Sequence, residues 1–455
     1  MTEQPSKKKI KILTISDHPM SPSGVGSQTK YFIIELLKTG KFEFISLGGA
    51  IRHDNYQPGK VEGFEDDWVI FPVDGYGNPD TIRSVIRTQK PDILWFMTDP
   101  RFYGWLWDIE NEIRSLVPMV YYHVWDNFPY PTFNKPWYDS NDVVATISKV
   151  TSNIVQTVSP TVEEHYIPHA IPPQLFTKVE DKMVNEFKRN QLGLSHINDD
   201  HFLIFWNSRN ARRKQSGSLI FWFNTFVEKL AKKHKNAKAT LLMHTDPEDP
   251  NGQDLYAIIQ ELNLGGDFET RNGRVKISKQ KTDPQTLCML YNAADVTMGV
   301  SDAEGFGLST FESLSCGTPI IVTMTGGLQE QVTLVDSVSQ QKMETRNRKN
   351  KAVTEYEHGI GLEPASKAMI GSQEVPFIYE DRLSEKQVVD ALMKMYEYGP
   401  EKRNELGKAG YEHIMANYNF ENFAQKWEEV MTNVYEKHGS WENRKNYKSW
   451  ELKTL

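Results

Sequence analysis

The chain has 455 residues, 39% hydrophobic and 25% charged, the proportions of a globular protein and not of a disordered chain. Lys+Arg number 52 and Asp+Glu 60, a formal net charge of −8, which excludes a uniformly basic surface for nucleic acid or anionic lipid and leaves only local basic patches. Two cysteines, Cys288 and Cys316, exclude a disulfide framework or a cysteine-built zinc site, and without a signal h-region or an 18-residue apolar run a reducing, cytoplasmic location is expected.

At roughly 100–200 residues per domain, the length allows two or three cores. Short β-branched or aromatic runs alternate with helical patterns, the alternation that builds a parallel sheet. Strands are expected at 10–16, 42–47, 92–97, 119–124 and 143–147, with a helix at 28–37 before the stop at Gly40. An extended piece at 166–171 runs into Pro172 and Pro173, which continue neither a helix nor a central strand and mark a linker. A second series follows, with strands at 202–206, 239–244, 275–277, 296–300 and 319–323 and helices at 218–235, 255–262, 286–294 and 309–315. The stretch 331–375 is polar and aperiodic, carries the basic cluster Lys342, Arg346, Arg348, Lys349 and Lys351, and reads as an inserted loop or lid. Helical periodicity resumes at 385–398 and from 401 to about 437. The expected fold is α/β, with two doubly wound parallel-sheet domains.

The segment SDAEGFGLSTFE at 301–312 joins a buried strand to a helix through two glycines. Such a turn presents N–H groups and a positive helix end to an anion, so a phosphate is the natural ligand. Glu304 and Glu312 flank that point. Carboxylates beside an anion are not its ligands, and the hydroxyls of a sugar or ribose suit them.

Glu304 and Glu312, with Gly305-Phe306-Gly307 between them, resemble the E-x7-E signature of retaining glycosyltransferases of family 4 and the GT-B fold. Residues 316–322 and 326–330 resemble that family's next strand and loop. The resemblance implies two Rossmann-like domains facing a cleft. They are an acceptor-side domain at 1–172 and a donor domain at 173–420 containing the 331–375 insertion, with a terminal helix in 421–455 crossing back to the first domain. Arg209 and Lys214 stand where the family places an R-x4-K pair on the donor diphosphate. The turn residues Phe306, Gly307, Leu308 and Ser309 would join them through N–H groups, Glu304 would bind hydroxyls of the transferred sugar, and Glu312 the ribose. Gly24 and Gly26, in the loop Pro22-Ser23-Gly24-Val25-Gly26, would let the first domain approach the donor closely. His123 ends a strand where the family often has a histidine meeting the transferred sugar, and Trp125 and Asp126 follow as acceptor candidates, outside the carboxyl ends of the strands. His169 reads as structural.

No D-x-D, H-x-E or C-x-x-C pattern occurs, so no metal or other cofactor is expected. The implied reaction moves a sugar from a UDP- or GDP-linked donor to an acceptor hydroxyl with retention of configuration. The acceptor stays open among a glycan, a lipid-linked sugar, a protein and a modified DNA base, the last as in viral members of the fold. A nucleotide-sugar epimerase or hydrolase, acting without an acceptor, is the alternative. No motif bears on oligomeric state.

Overall fold

The computed structural model describes residues 8–194, 201–266, 272–333 and 353–448. The first sheet contains β1 (Ile10–Asp17), β2 (Phe42–Gly49), β3 (Gly59–Lys60), β4 (Trp68–Pro72), β5 (Ile93–Met97), β6 (Met119–His123), β7 (Val143–Thr146) and β8 (Glu163–Tyr166), in the order β3-β4-β2-β1-β5-β6-β7-β8. Its pairs are parallel apart from the short β3–β4 edge. The second contains β9 (His201–Asn207), β10 (Lys238–His244), β11 (Gly273–Ser278), β12 (Val296–Gly299), β13 (Ile320–Thr323), β14 (Val353–Tyr356) and β15 (Gly359–Leu362), in the order β11-β10-β9-β12-β13-β15-β14. Every expected strand is present, while β4, flanked by acidic and proline residues, has no counterpart among the expected strands.

The stretch 331–375 is not one inserted lid. It supplies β15, which pairs in parallel with β13, and the edge strand β14; Gly-Ile-Gly-Leu at 359–362 is fully buried because it sits within the sheet. The chain then forms a separate hairpin, β16 (Ser366–Ile370) and β17 (Ile378–Arg382). The basic cluster at 342–351 lies outside the described residues.

The first helix, Gly24–Lys38, begins earlier than expected, because Ser23 accepts the Gly26 N–H and caps it. At the other end, the periodicity from 401 divides into helices Gly399–Asn417 and Phe420–His438, the second capped by Asn419. Helix Phe420–His438 packs on the first domain: Trp427, fully buried, meets Phe32, Trp95 and Tyr122 with ring centroids 4.9, 5.9 and 4.9 Å apart. No described helix is long and apolar enough to cross a membrane.

The two halves also meet directly beneath the cleft. A Cβ on Gly305 would lie 2.9 Å from the Val124 carbonyl oxygen, so only glycine lets the second domain's turn rest on the end of β6. Glu330, 2% exposed, accepts the Val150 N–H at 3.1 Å from helix Lys149–Val158, a carboxylate of one half at a helix start of the other.

Candidate active site

Between the sheets lies a cleft of about 850 Å³, lined from both halves at the carboxyl ends of their strands. At its centre Glu304 pairs with Lys214 and with Arg213, whose Nη1 is 3.4 Å away, and accepts the Ser301 hydroxyl at 3.2 Å. Burial opposes ionisation of Glu304, but the charges of Lys214 and Arg213 outweigh it and hold the carboxyl down at about 2. Burial acts on Lys214 in the opposite sense and lowers its pKa, with Glu304 resisting. The pair is an ionised, shielded charge cluster at the floor of the cleft.

Gly307, with φ of +88°, makes the turn into helix Leu308–Ser315. The first-turn N–H groups of a helix have no partner inside it, and Leu308 and Ser309 open onto the cleft. From the first domain, Gly24 comes so near that a Cβ would stand 2.8 Å from Leu308 Cδ1. One turn into the helix, Glu312 accepts the Tyr291 hydroxyl at 2.6 Å. Burial pushes its carboxyl up to about 7, against that bond.

The structure thus brings Gly24, Trp125, Asp126, Lys214, Glu304, Phe306, Gly307, Leu308, Ser309 and Glu312 to one cleft. Asp126 is half-buried, and burial raises it to about 6; Arg213 and Lys214 oppose the rise, and Glu304 and Asp99 add to it. Three expected residues lie elsewhere. Gly26 is buried in the first helical turn and its N–H is spent on Ser23. Arg209 turns outward into a two-bond pair with Asp249, at 2.7 and 3.2 Å, which holds Asp249 down at about 2. Arg213, in the same basic run, takes the place beside Lys214.

His123 is fully buried, its Nε2 2.7 Å from the Tyr138 hydroxyl, and burial pushes its pKa down to about 3. Its position at the end of β6 points it into the domain core. His169, expected to be structural, is buried at the wall of the cleft, with Nδ1 2.9 Å from the Tyr122 hydroxyl and its ring 5.1 Å from Phe306. Substituting His123→Gln is therefore expected to register in urea unfolding as a loss of about 1–3 kcal/mol from the disturbed buried hydrogen bond.

Arg212 also reaches the cleft, in a pair with Glu380 that Arg382 shares. Glu380 belongs to the hairpin β16–β17, which no sequence motif signalled. Among the described residues, no group of three His, Cys, Asp or Glu side chains is arranged to hold a metal ion.

Residues 225–359 match the family described as "Family 4 Glycosyltransferase in conflict systems". A D-inositol 3-phosphate glycosyltransferase of Saccharomonospora viridis is 32% identical over 114 residues, a match spanning only 25% of this chain and 25% of that relative. Among solved structures, a sucrose-phosphate synthase from Thermosynechococcus elongatus superposes with a TM-score of 0.65 at 18% identity, covering 94% of this chain and 100% of that one. Anabaena Alr3699/HepE, in complex with UDP and glucose, gives 0.62 at 14% identity, covering 93% and 100%. These likenesses establish the GT-B fold and, with the family match, bear out the resemblance to family 4 glycosyltransferases of that fold.

Proposed function

We propose that the protein transfers a sugar from a UDP- or GDP-linked donor to an acceptor hydroxyl with retention of configuration, in a reducing, cytoplasmic setting. The observation that carries this reading is the Glu304–Lys214–Arg213 cluster set beside the N-terminus of helix Leu308–Ser315 in a cleft between two sheet domains. Lys214, Arg213 and the first-turn N–H groups supply positive charge where a diphosphate leaves, and preorganised charge of this kind is worth most in a site closed to water. Glu304, kept ionised, accepts hydroxyls of the transferred sugar; Glu312 accepts those of the ribose. Asp126 faces the acceptor from the first domain. The leaving phosphate takes the acceptor proton on the same face of the sugar, and this residue set needs no metal.

Incubation with UDP- and GDP-sugars and EDTA, followed by NMR of the product anomer, tests the reading. A retained anomer is expected, and an inverted one rejects the same-face course. Failure of UDP and GDP alike to bind rejects the donor assignment.

A pH dependence follows from Glu312. Only its ionised form accepts two ribose hydroxyls fully, and burial places its pKa at about 7 in the free protein. UDP or GDP affinity should be highest above that value and fall by up to about tenfold per pH unit below it. Calorimetry between about pH 5.5 and 8.5 reads the slope, and Glu312→Gln should flatten it.

A further inference from the structure

The hairpin β16–β17 takes no part in the roles assigned above, although it bridges the two halves at the cleft. On the second domain, the Asp381 N–H donates to the Asp302 carbonyl at 2.9 Å and Glu380 pairs with Arg212. On the first, the Tyr379 N–H donates to the Phe128 carbonyl at 2.7 Å, and Asn127 Nδ2 donates to the Tyr379 carbonyl at 2.9 Å. The Phe377 ring meets Phe133 edge-on, centroids 5.0 Å apart. Val375, 7% exposed, is buried in the apolar cluster that contains Trp125 and Phe128. Two bonds between Ser372 and Val375 close the tip. Ile370, Val375, Ile378 and Tyr379 line the same cleft as Asp126 and Glu304.

We propose that this hairpin is the specificity-determining wall of the site, favouring the acceptor over water by keeping water from the activated donor. The proposal rests on the glycosyl-transfer reading above. An activated sugar reacts with any hydroxyl that reaches it, and water is the most abundant competitor. In hydrolysis the water oxygen bonds to the anomeric carbon, the bond from that carbon to the phosphate oxygen breaks, and the water proton passes to the departing diphosphate. The Ile370, Val375 and Ile378 side chains of that wall offer water no hydrogen bonds, so water standing against them is disfavoured, while Ser372, Tyr379 and Glu380 give the same hairpin its polar part. Held from both halves, the wall keeps its position only when the halves are together, which ties exclusion of water to closure.

The Phe377–Phe133 contact anchors the hairpin without either ring lining the cleft, so Phe377→Ala and Phe133→Ala test the wall from its two sides. The measurement is release of UDP from UDP-glucose and of GDP from GDP-mannose with no acceptor present, beside the UDP and GDP affinities by calorimetry. Each single variant should hydrolyse donor at least about fivefold faster than the wild type, the double variant little faster than either single, and affinity should move less than about twofold. Hydrolysis unchanged in variants that bind nucleotide normally overturns the proposal, as does a parallel loss of hydrolysis and affinity. Should Phe133→Ala fail to fold, Phe377→Ala decides between the same outcomes, because that ring is on the hairpin. A wild-type protein that binds neither nucleotide rejects the UDP- or GDP-donor assignment on which the proposal rests, a result separate from normal binding with unchanged hydrolysis.

Discussion

Substituting Lys214→Met is expected to lower sugar transfer about a hundred- to a thousand-fold, the loss that follows removal of one preorganised charge or donor at a reacting centre. The ammonium sits at the floor of the cleft with its side chain 11% exposed, paired with Glu304. Its loss leaves Arg213 and the Ser301 hydroxyl to hold that carboxylate, so the Glu304 pKa should rise from about 2 and bring an acid limb into the pH–rate profile. Stability responds in the same direction. A carboxyl lowered from 4.5 to about 2 contributes stability that is complete above pH 4.5 and lost as the pH falls toward 2. Lys214→Met should shrink that contribution, and breaking a buried pair from one side costs about 3–5 kcal/mol when nothing replaces the partner. Steady-state kinetics from about pH 4 to 9, together with urea unfolding at neutral pH, check both parts. A variant within about threefold of wild-type activity would remove Lys214 from the machinery.

The second large effect is expected at a core residue that does not line the cleft. Trp427→Ala should destabilise the protein by about 3–5 kcal/mol, the range for a buried aromatic truncated to a methyl group. Trp427 fills the space between Phe32, Trp95 and Tyr122, so the cavity would open on the face of the first sheet that the last long helix covers. Partial collapse is hindered because Phe32 and Trp95 are already stacked, with centroids 4.5 Å apart. Chemical denaturation measures the loss. Exchange of amide hydrogens in Phe420–His438 should rise with it, showing the helix loosened from its seat.

Legibility in the sequence followed the range of the interactions. The two carboxylates and their intervening turn could be read because strand, glycine turn and helix are consecutive, and a spacing of eight residues survives folding. The cations could be read only as a group. Arg209 is drawn outward by Asp249, forty positions later, while Arg213 is drawn inward by the Ala303 carbonyl and Glu304. Nothing local in a run of basic residues distinguishes those fates. The histidines show the same limit: His123 ends a strand at the right edge of the sheet, but Tyr138 holds its ring in the core, and His169, beyond the last strand of that sheet, meets Phe306 of the other half. Gly359–Leu362 falls inside the stretch that reads as an inserted loop or lid, and becomes a strand within the sheet because β13 offers it a partner. The hairpin that bridges the halves carries no local signature at all.

The seat of Trp427 also sets an order of events for a chain that emerges from its N-terminal end. The strands of the first sheet are complete once Tyr166 has been made, yet the ring that covers Phe32, Trp95 and Tyr122 arrives some 260 residues later. At the usual ~5–20 residues per second of synthesis, that face waits on the order of 13–50 s uncovered by its helix. During that interval the uncovered apolar face is open to aggregation or to a chaperone, and the half made first waits on the last long helix for its cover.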